Sequence, residues 1–157
     1  MNRIYLDNAA TTPLAPEVFE AMLPVLRDQF GNPSSIHAFG RQTRASVEKA
    51  RRTVASLLHC TPGEIIFTSG GTEADNMVLQ SSVRDLGVRH IITSAIEHHA
   101  VELTASKLGE QQGVAIHWLR LEADGKPDLG HLRELLAATR GQGVLVSLMH
   151  ANNEIGT

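Results

Sequence analysis

Three short stretches of the chain hold side chains suited to chemistry. The first is Ser69-Gly70-Gly71-Thr72-Glu73-Ala74-Asp75-Asn76, two glycines and a hydroxyl where a helix begins. Such a turn lets the backbone come close to an anion. The free N–H groups of the first helical turn point at it, and the helix dipole adds roughly 0.3–1 kcal/mol. Gly71 and Thr72 therefore read as a phosphate cradle, with the Thr72 hydroxyl able to donate to a phosphate oxygen. The same residues also read as an ordinary helix start, with Thr72 as N-cap and Asp75 three residues on in place of the usual Glu. The two readings are compatible. It is not a Walker loop, because the Gly-Lys-Ser/Thr ending is missing.

The second stretch is Ile96-Glu97-His98-His99-Ala100. A histidine here could stack on a flat ligand or transfer protons near neutral pH. Adjacent histidines on a helix point in different directions and chelate poorly, so no metal site is expected. Alternatively, His98 and His99 begin a helix and face solvent. The third stretch is His150-Ala151-Asn152-Asn153-Glu154-Ile155-Gly156, whose asparagines can donate to a ligand oxygen or simply form a polar turn. His150 reads as a structural histidine. Cys60, at a helix end, lacks a neighbouring acid–base partner and reads as structural. His37, after the loop Gly31-Asn32-Pro33-Ser34-Ser35, could reach a site or start a helix. Arg51-Arg52 reads as a solvated helix face.

The elements that must position these stretches alternate. Ile4-Tyr5-Leu6 is extended. Pro16 suits the first turn of a helix through Val18, Met22 and Leu26, which Pro24 should kink or interrupt. A second helix is expected from about Gly40 to Leu58, with Val47, Ala50, Val54 and Leu58 at helical spacing. Thr61-Pro62-Gly63 ends it. Apolar, β-prone runs then recur at 65–68, 90–93, 114–119 and 144–149, separated by helices starting near Thr72, containing Val101, Leu103 and Leu108, and around Leu132–Ala138. Strand and helix in turn predict an α/β fold, a mainly parallel sheet with crossover helices. Open α/β sheets bind ligands beyond the carboxyl ends of their strands. That rule selects the loops after Thr68, Thr93 and Met149, the three stretches above.

Composition narrows the function class. The chain has 157 residues, 42% hydrophobic and 20% charged, which suits a soluble globular chain. Its net charge of −3 lacks the basic excess of a nucleic-acid binder. No apolar run approaches the ~18–20 residues of a membrane helix, and no signal peptide is visible, so the cytoplasm is the expected compartment. One cysteine excludes an internal disulfide and a zinc site built from several thiolates.

Taken together, five motifs resemble one family. They are Tyr5-Leu6-Asp7-Asn8-Ala9-Ala10-Thr11-Thr12-Pro13; Gly31-Asn32-Pro33-Ser34-Ser35 with His37 and Gly40; Phe67-Thr68-Ser69-Gly70-Gly71-Thr72-Glu73-Ala74; Glu97-His98-His99-Ala100-Val101; and Met149-His150-Ala151-Asn152-Asn153-Glu154-Ile155-Gly156. In order and at compatible spacing, they resemble the cysteine desulfurases, pyridoxal-phosphate enzymes of the class V aminotransferase group. The resemblance implies the first part of the large domain of fold type I pyridoxal-phosphate enzymes, with residues 1–15 as an amino-terminal segment and 16–157 as a partial cofactor domain. It implies that Gly71 and Thr72 hold the cofactor phosphate, and that His98 stacks on the pyridine ring and assists proton transfer. Asn153 would hydrogen-bond the phenolic oxygen near the substrate carboxylate, and Asp7–Pro13 would line the active-site entrance. The implied reaction removes sulfur from L-cysteine, giving L-alanine and an enzyme persulfide for iron–sulfur cluster or thio-cofactor assembly. A homodimer and a sulfur-acceptor scaffold protein are implied partners.

The family's chains are more than twice as long. Their Schiff-base lysine, the Asp that pairs with the pyridine nitrogen and the nucleophilic cysteine have no counterpart here. Lys49 and Lys107 fall in helices and Lys126 in a turn, away from the loops of the ligand edge, and Cys60 does not match the nucleophile. The chain is therefore expected to be an amino-terminal fragment that packs against the missing carboxy-terminal part or another copy. Covalent cofactor attachment is not expected through its own residues. The same motifs are open to a selenocysteine lyase, another class V aminotransferase-type enzyme, or a non-catalytic phosphate-ligand or interaction module.

Overall fold

Helix-forming sequence dominates the first part of the chain and strand–helix alternation the second. A computed structural model describes residues 3–157, in two units divided between Phe67 and Thr68.

In the first unit, α1 (Pro16–Asp28) starts on Pro16 and continues past Pro24, with the Gln29 N–H closing on the Val25 carbonyl at 3.0 Å. The expected interruption does not occur. Two turns precede Pro24, so the helix is already nucleated there, and the proline removes one ladder bond without stopping it. Helix α2 (Ala38–Leu57) is capped by His37, whose Nδ1 accepts the Gly40 N–H at 3.3 Å. The loop before it is tight: a Cβ on Gly40 would sit 2.5 Å from the Ser35 carbonyl oxygen.

Helix α2 ends in a Schellman arrangement. His59 takes φ +54°, its N–H reaches the Ser56 carbonyl, and the Cys60 N–H reaches that of Ala55. Arg51 is no solvated face. Its guanidinium lies 5.0 Å from the Phe67 ring centre, pairs with Glu48 at 3.2 Å and donates to the Ile65 carbonyl, tying residues 65–67 to α2. Those residues are not a strand either. Ile66 and Phe67 are exposed, and no ladder pairs 65–68 among the described residues.

The second unit confirms the parallel α/β expectation. Helix α3 (Gly71–Leu86) leads into β1 (His90–Ser94), α4 (His99–Gln112), β2 (Ala115–Leu119), α5 (Leu129–Ala138) and β3 (Val144–Val146). The sheet order is β2-β1-β3, both pairs parallel, with His90 opposite Ala115 and Val144. The central strand is covered on both faces, since Ile91 and Ile92 are both wholly buried. Ile91 joins Leu79 and Val83 of α3 with Val101, Ala105 and Leu108 of α4 in the core. Their i, i+4 and i, i+7 spacings put each set on one helix face.

The run expected at 144–149 is a strand only through Val146, with the Ser147 N–H still bonding the Ile92 carbonyl at 2.9 Å. The Met149 N–H turns to a carboxylate, that of Glu97, at 2.7 Å. At the opposite end of the sheet, the rings of His90 and His117 lie with centres 5.3 Å apart and planes inclined by 25°. His90 Nδ1 lies 3.0 Å from His117 Nε2, and His90 Nε2 bonds the Gln142 amide oxygen.

Candidate functional site

Parallel pairing of β1 and β3 puts the segments that follow them at one sheet edge. Two side chains then lock those segments together. Glu97 Oε1 accepts the Met149 N–H at 2.7 Å and the Ser94 hydroxyl at 3.2 Å. Asn152 Nδ2 donates to the Ile96 carbonyl at 2.9 Å, while its Oδ1 accepts the N–H groups of Glu154 at 2.8 Å and Ile155 at 3.2 Å. Between the locked segments opens a pocket of about 300 Å³, lined among others by Glu97, His98, Glu102, Asn152, Asn153 and Glu154. His98 and Asn153 thus come together.

His98 is the N-cap of α4, with Nδ1 accepting the Ala100 N–H at 3.1 Å. An acceptor at Nδ1 leaves the neutral ring's proton on Nε2. His99 turns aside: its ring is inclined 57° to that of His98, and its Nδ1 lies 3.1 Å from Glu102 Oε2. Asn153 is exposed, in contrast to its buried neighbour Asn152.

Gly71 and Thr72 do not line this pocket. They open α3, whose N-cap is Gly70 rather than Thr72. The acid that bonds this turn is Glu73, not Asp75. Its carboxylate accepts the Ser69 hydroxyl at 2.6 Å and the Ser69 N–H at 2.7 Å, and these bonds, the hydroxyl's first, hold it below the usual carboxylate range. No side chain caps the first turn of α3, and the Thr72 hydroxyl makes no protein hydrogen bond among the described residues. An added Cβ at Gly70 or Gly71 would meet nothing within 4 Å. Amide groups facing open space at a helix N-terminus, beside a free hydroxyl, fit a phosphate group.

Helices α3 and α4 bring this turn and His98 to the same end of the unit. The Asn76 amide nitrogen donates to the Thr72 carbonyl at 2.7 Å, and its oxygen accepts from the Thr104 hydroxyl of α4. Helix α3 leads into the start of β1 and α4 leaves its end, so both N-termini face the carboxyl edge.

That edge also holds Lys126, contrary to the expectation that every lysine lies away from it. The turn after β2 carries it there, into a cavity of about 120 Å³ with Glu97, Met149 and Asn152. Its ammonium pairs with Asp124 at 2.5 Å, which raises its pKa above the ordinary value. Lys126 is a held cation rather than a free amine. Glu97, Asn152 and Asn76 are the site-building residues that sequence reasoning missed. Their one signal was adjacency to residues already singled out.

The second unit is thus a three-stranded parallel α/β unit with a histidine, an asparagine and a glycine-opened helix at the carboxyl edge of its sheet. The chain belongs to the class-V aminotransferase family, whose model matches residues 4–157. It is 49% identical over 156 residues to the cysteine desulfurase IscS of Dictyoglomus turgidum, covering 98% of this chain and 39% of that protein. To the putative cysteine desulfurase IscS 1 of Bacillus subtilis it is 48% identical, covering 100% of this chain and 41% of that one. Among solved structures, a NifS-like protein superposes with a TM-score of 0.87 at 37% identity, over 97% of this chain and 41% of its own. DndA from Streptomyces lividans superposes at 0.77 with 40% identity, over 96% and 42%. The chain therefore spans about 40% of the length of the relatives it matches, corresponding to their amino-terminal part. No helix among the described residues is long and apolar enough to cross a membrane.

Proposed function

We propose that this chain is the amino-terminal part of a pyridoxal-phosphate-dependent cysteine desulfurase, taking sulfur from L-cysteine and leaving L-alanine. The observation that carries the reading is the convergence of His98 and Asn153 on one pocket at the carboxyl edge of the sheet, at the end of the unit where α3 also begins.

Each of the chain's residues has a task in it. Gly71 and Thr72 hold the phosphate through free amides and the Thr72 hydroxyl. His98 presents its ring to the pyridine face, its tautomer set by the cap bond to Ala100, with the Nε2 proton available for transfer. Asn153 donates its amide to the phenolic oxygen. The pyridoxal group, when bound, supplies the electron sink for a carbanion at the substrate Cα. The lysine that binds it covalently and the cysteine that accepts sulfur are supplied from outside these 157 residues, as a persulfide-forming enzyme requires.

Titrating the isotope-labelled chain with pyridoxal phosphate tests the reading. The expected result is saturable movement of the Thr72, His98 and Asn153 resonances with one shared affinity. Movement confined to other residues, or none, defeats it. With the complementary polypeptide and a thiol reductant added, cysteine should yield alanine, and reduction of the persulfide by the thiol should release sulfide.

A further inference from the structure

Of the two adjacent asparagines, only Asn153 is free to meet a ligand. Asn152 is 7% exposed and its amide is spent inside the protein. Nδ2 donates to the Ile96 carbonyl at 2.9 Å and lies 3.3 Å from the Met149 sulfur, while Oδ1 holds the Glu154 and Ile155 N–H groups. The oxygen half shapes the turn that presents Asn153. The nitrogen half ties that turn to the segment before His98, across 56 residues of sequence.

We infer that Asn152 is a positioning residue, whose single amide sets the spacing between the Asn153 side chain and the His98 ring. The inference rests on the reading of those two as ligand-facing and deepens it. Glu97 makes a second tether at the same seam through the Met149 N–H, but its carboxylate reaches neither the turn at 153 nor the carbonyl of Ile96. It fixes where the segment after β3 departs. Asn152 fixes where Asn153 arrives.

The two halves of the amide can be separated. Asn152→Asp keeps an oxygen for the Glu154 and Ile155 N–H groups but sets a second oxygen against the Ile96 carbonyl, so the turn survives and the tether is lost. Asn152→Ala loses both. Pyridoxal phosphate is the probe, its affinity read from the His98 and Asn153 resonances. Amide hydrogen exchange of Glu154 and Ile155 reports the turn, and inorganic phosphate reports the separate contact at Gly71 and Thr72.

For Asn152→Asp, exchange protection should match the parent chain while pyridoxal phosphate binds about tenfold more weakly, the loss expected for one hydrogen bond's worth of alignment. Phosphate affinity should not change. Asn152→Ala should lose protection and binding together. If Asn152→Asp keeps protection and binds the probe within about twofold of the parent, Asn152 only forms the turn. The inference then falls while the proposed function stands. If the parent chain shows no response at His98 and Asn153, both fall.

Discussion

At Thr72 the backbone and the side chain have different tasks. The carbonyl is held by Asn76, and the hydroxyl faces solvent with nothing to bond. Thr72→Ala should therefore leave thermal stability unchanged and weaken pyridoxal phosphate binding by about 1.5–3 kcal/mol, the range for one hydrogen bond to a charged group. Unaltered affinity by titration would remove Thr72 from the site. At His98 the cap and the ring are separable. Asparagine is a strong N-cap, so His98→Asn should unfold within about 0.5 kcal/mol of the parent in a urea titration while losing ring contact with the ligand. His98→Ala should be destabilised by about 1 kcal/mol as well. Equal ligand affinity in His98→Asn would leave His98 a cap and nothing more. These residues were legible in the sequence because motif and helix-start chemistry are local. Glu97 and Asn152 were not, because each works on a backbone group more than 50 residues away.

At the level of elements, the ends carry the testable physics. His59 closes α2 in the left-handed region, where a Cβ is a liability and glycine is at ease. His59→Gly should raise stability by about 0.5–1 kcal/mol in a denaturant titration. A loss would mean the ring contributes more than the strain costs.

Across β1 and β2, burial first and the neighbouring His90 charge second depress the His117 pKa below 6.5. The folded form thus binds fewer protons there than the unfolded chain. Stability is present above about pH 6.5 and should fall as pH drops through the depressed folded value. His117→Gln should flatten that fall in thermal melts between neutral and mildly acid pH.

Strand and helix alternation was legible because an apolar run records its own burial. It failed at 65–68, whose composition matches a strand, because pairing needs a neighbour that the run does not encode. Arg51 takes the Ile65 carbonyl instead. Likewise, 147–149 was read as strand because nothing in Ser147-Leu148-Met149 announces a carboxylate waiting for the Met149 amide.

At the scale of the whole molecule, many large apolar side chains among the described residues stay exposed. Helix α1 has no buried residue, and Leu6, Leu26 and Ile36 are each more than 70% exposed. Exposed apolar surface of this kind binds hydrophobic dyes and favours association. The purified chain should enhance the fluorescence of a hydrophobic dye and gain mass with concentration in sedimentation. A monodisperse monomer that leaves the dye dark would contradict this. Addition of the complementary part of such an enzyme should quench the dye signal.

The bond from the Ala100 amide to His98 Nδ1 has a thermodynamic result for any planar guest. An imidazole anchored through one nitrogen cannot rotate about its χ2 bond without uncapping α4. The face it offers is settled before the guest arrives, so stacking there sacrifices little torsional freedom and more of the contact energy survives as affinity.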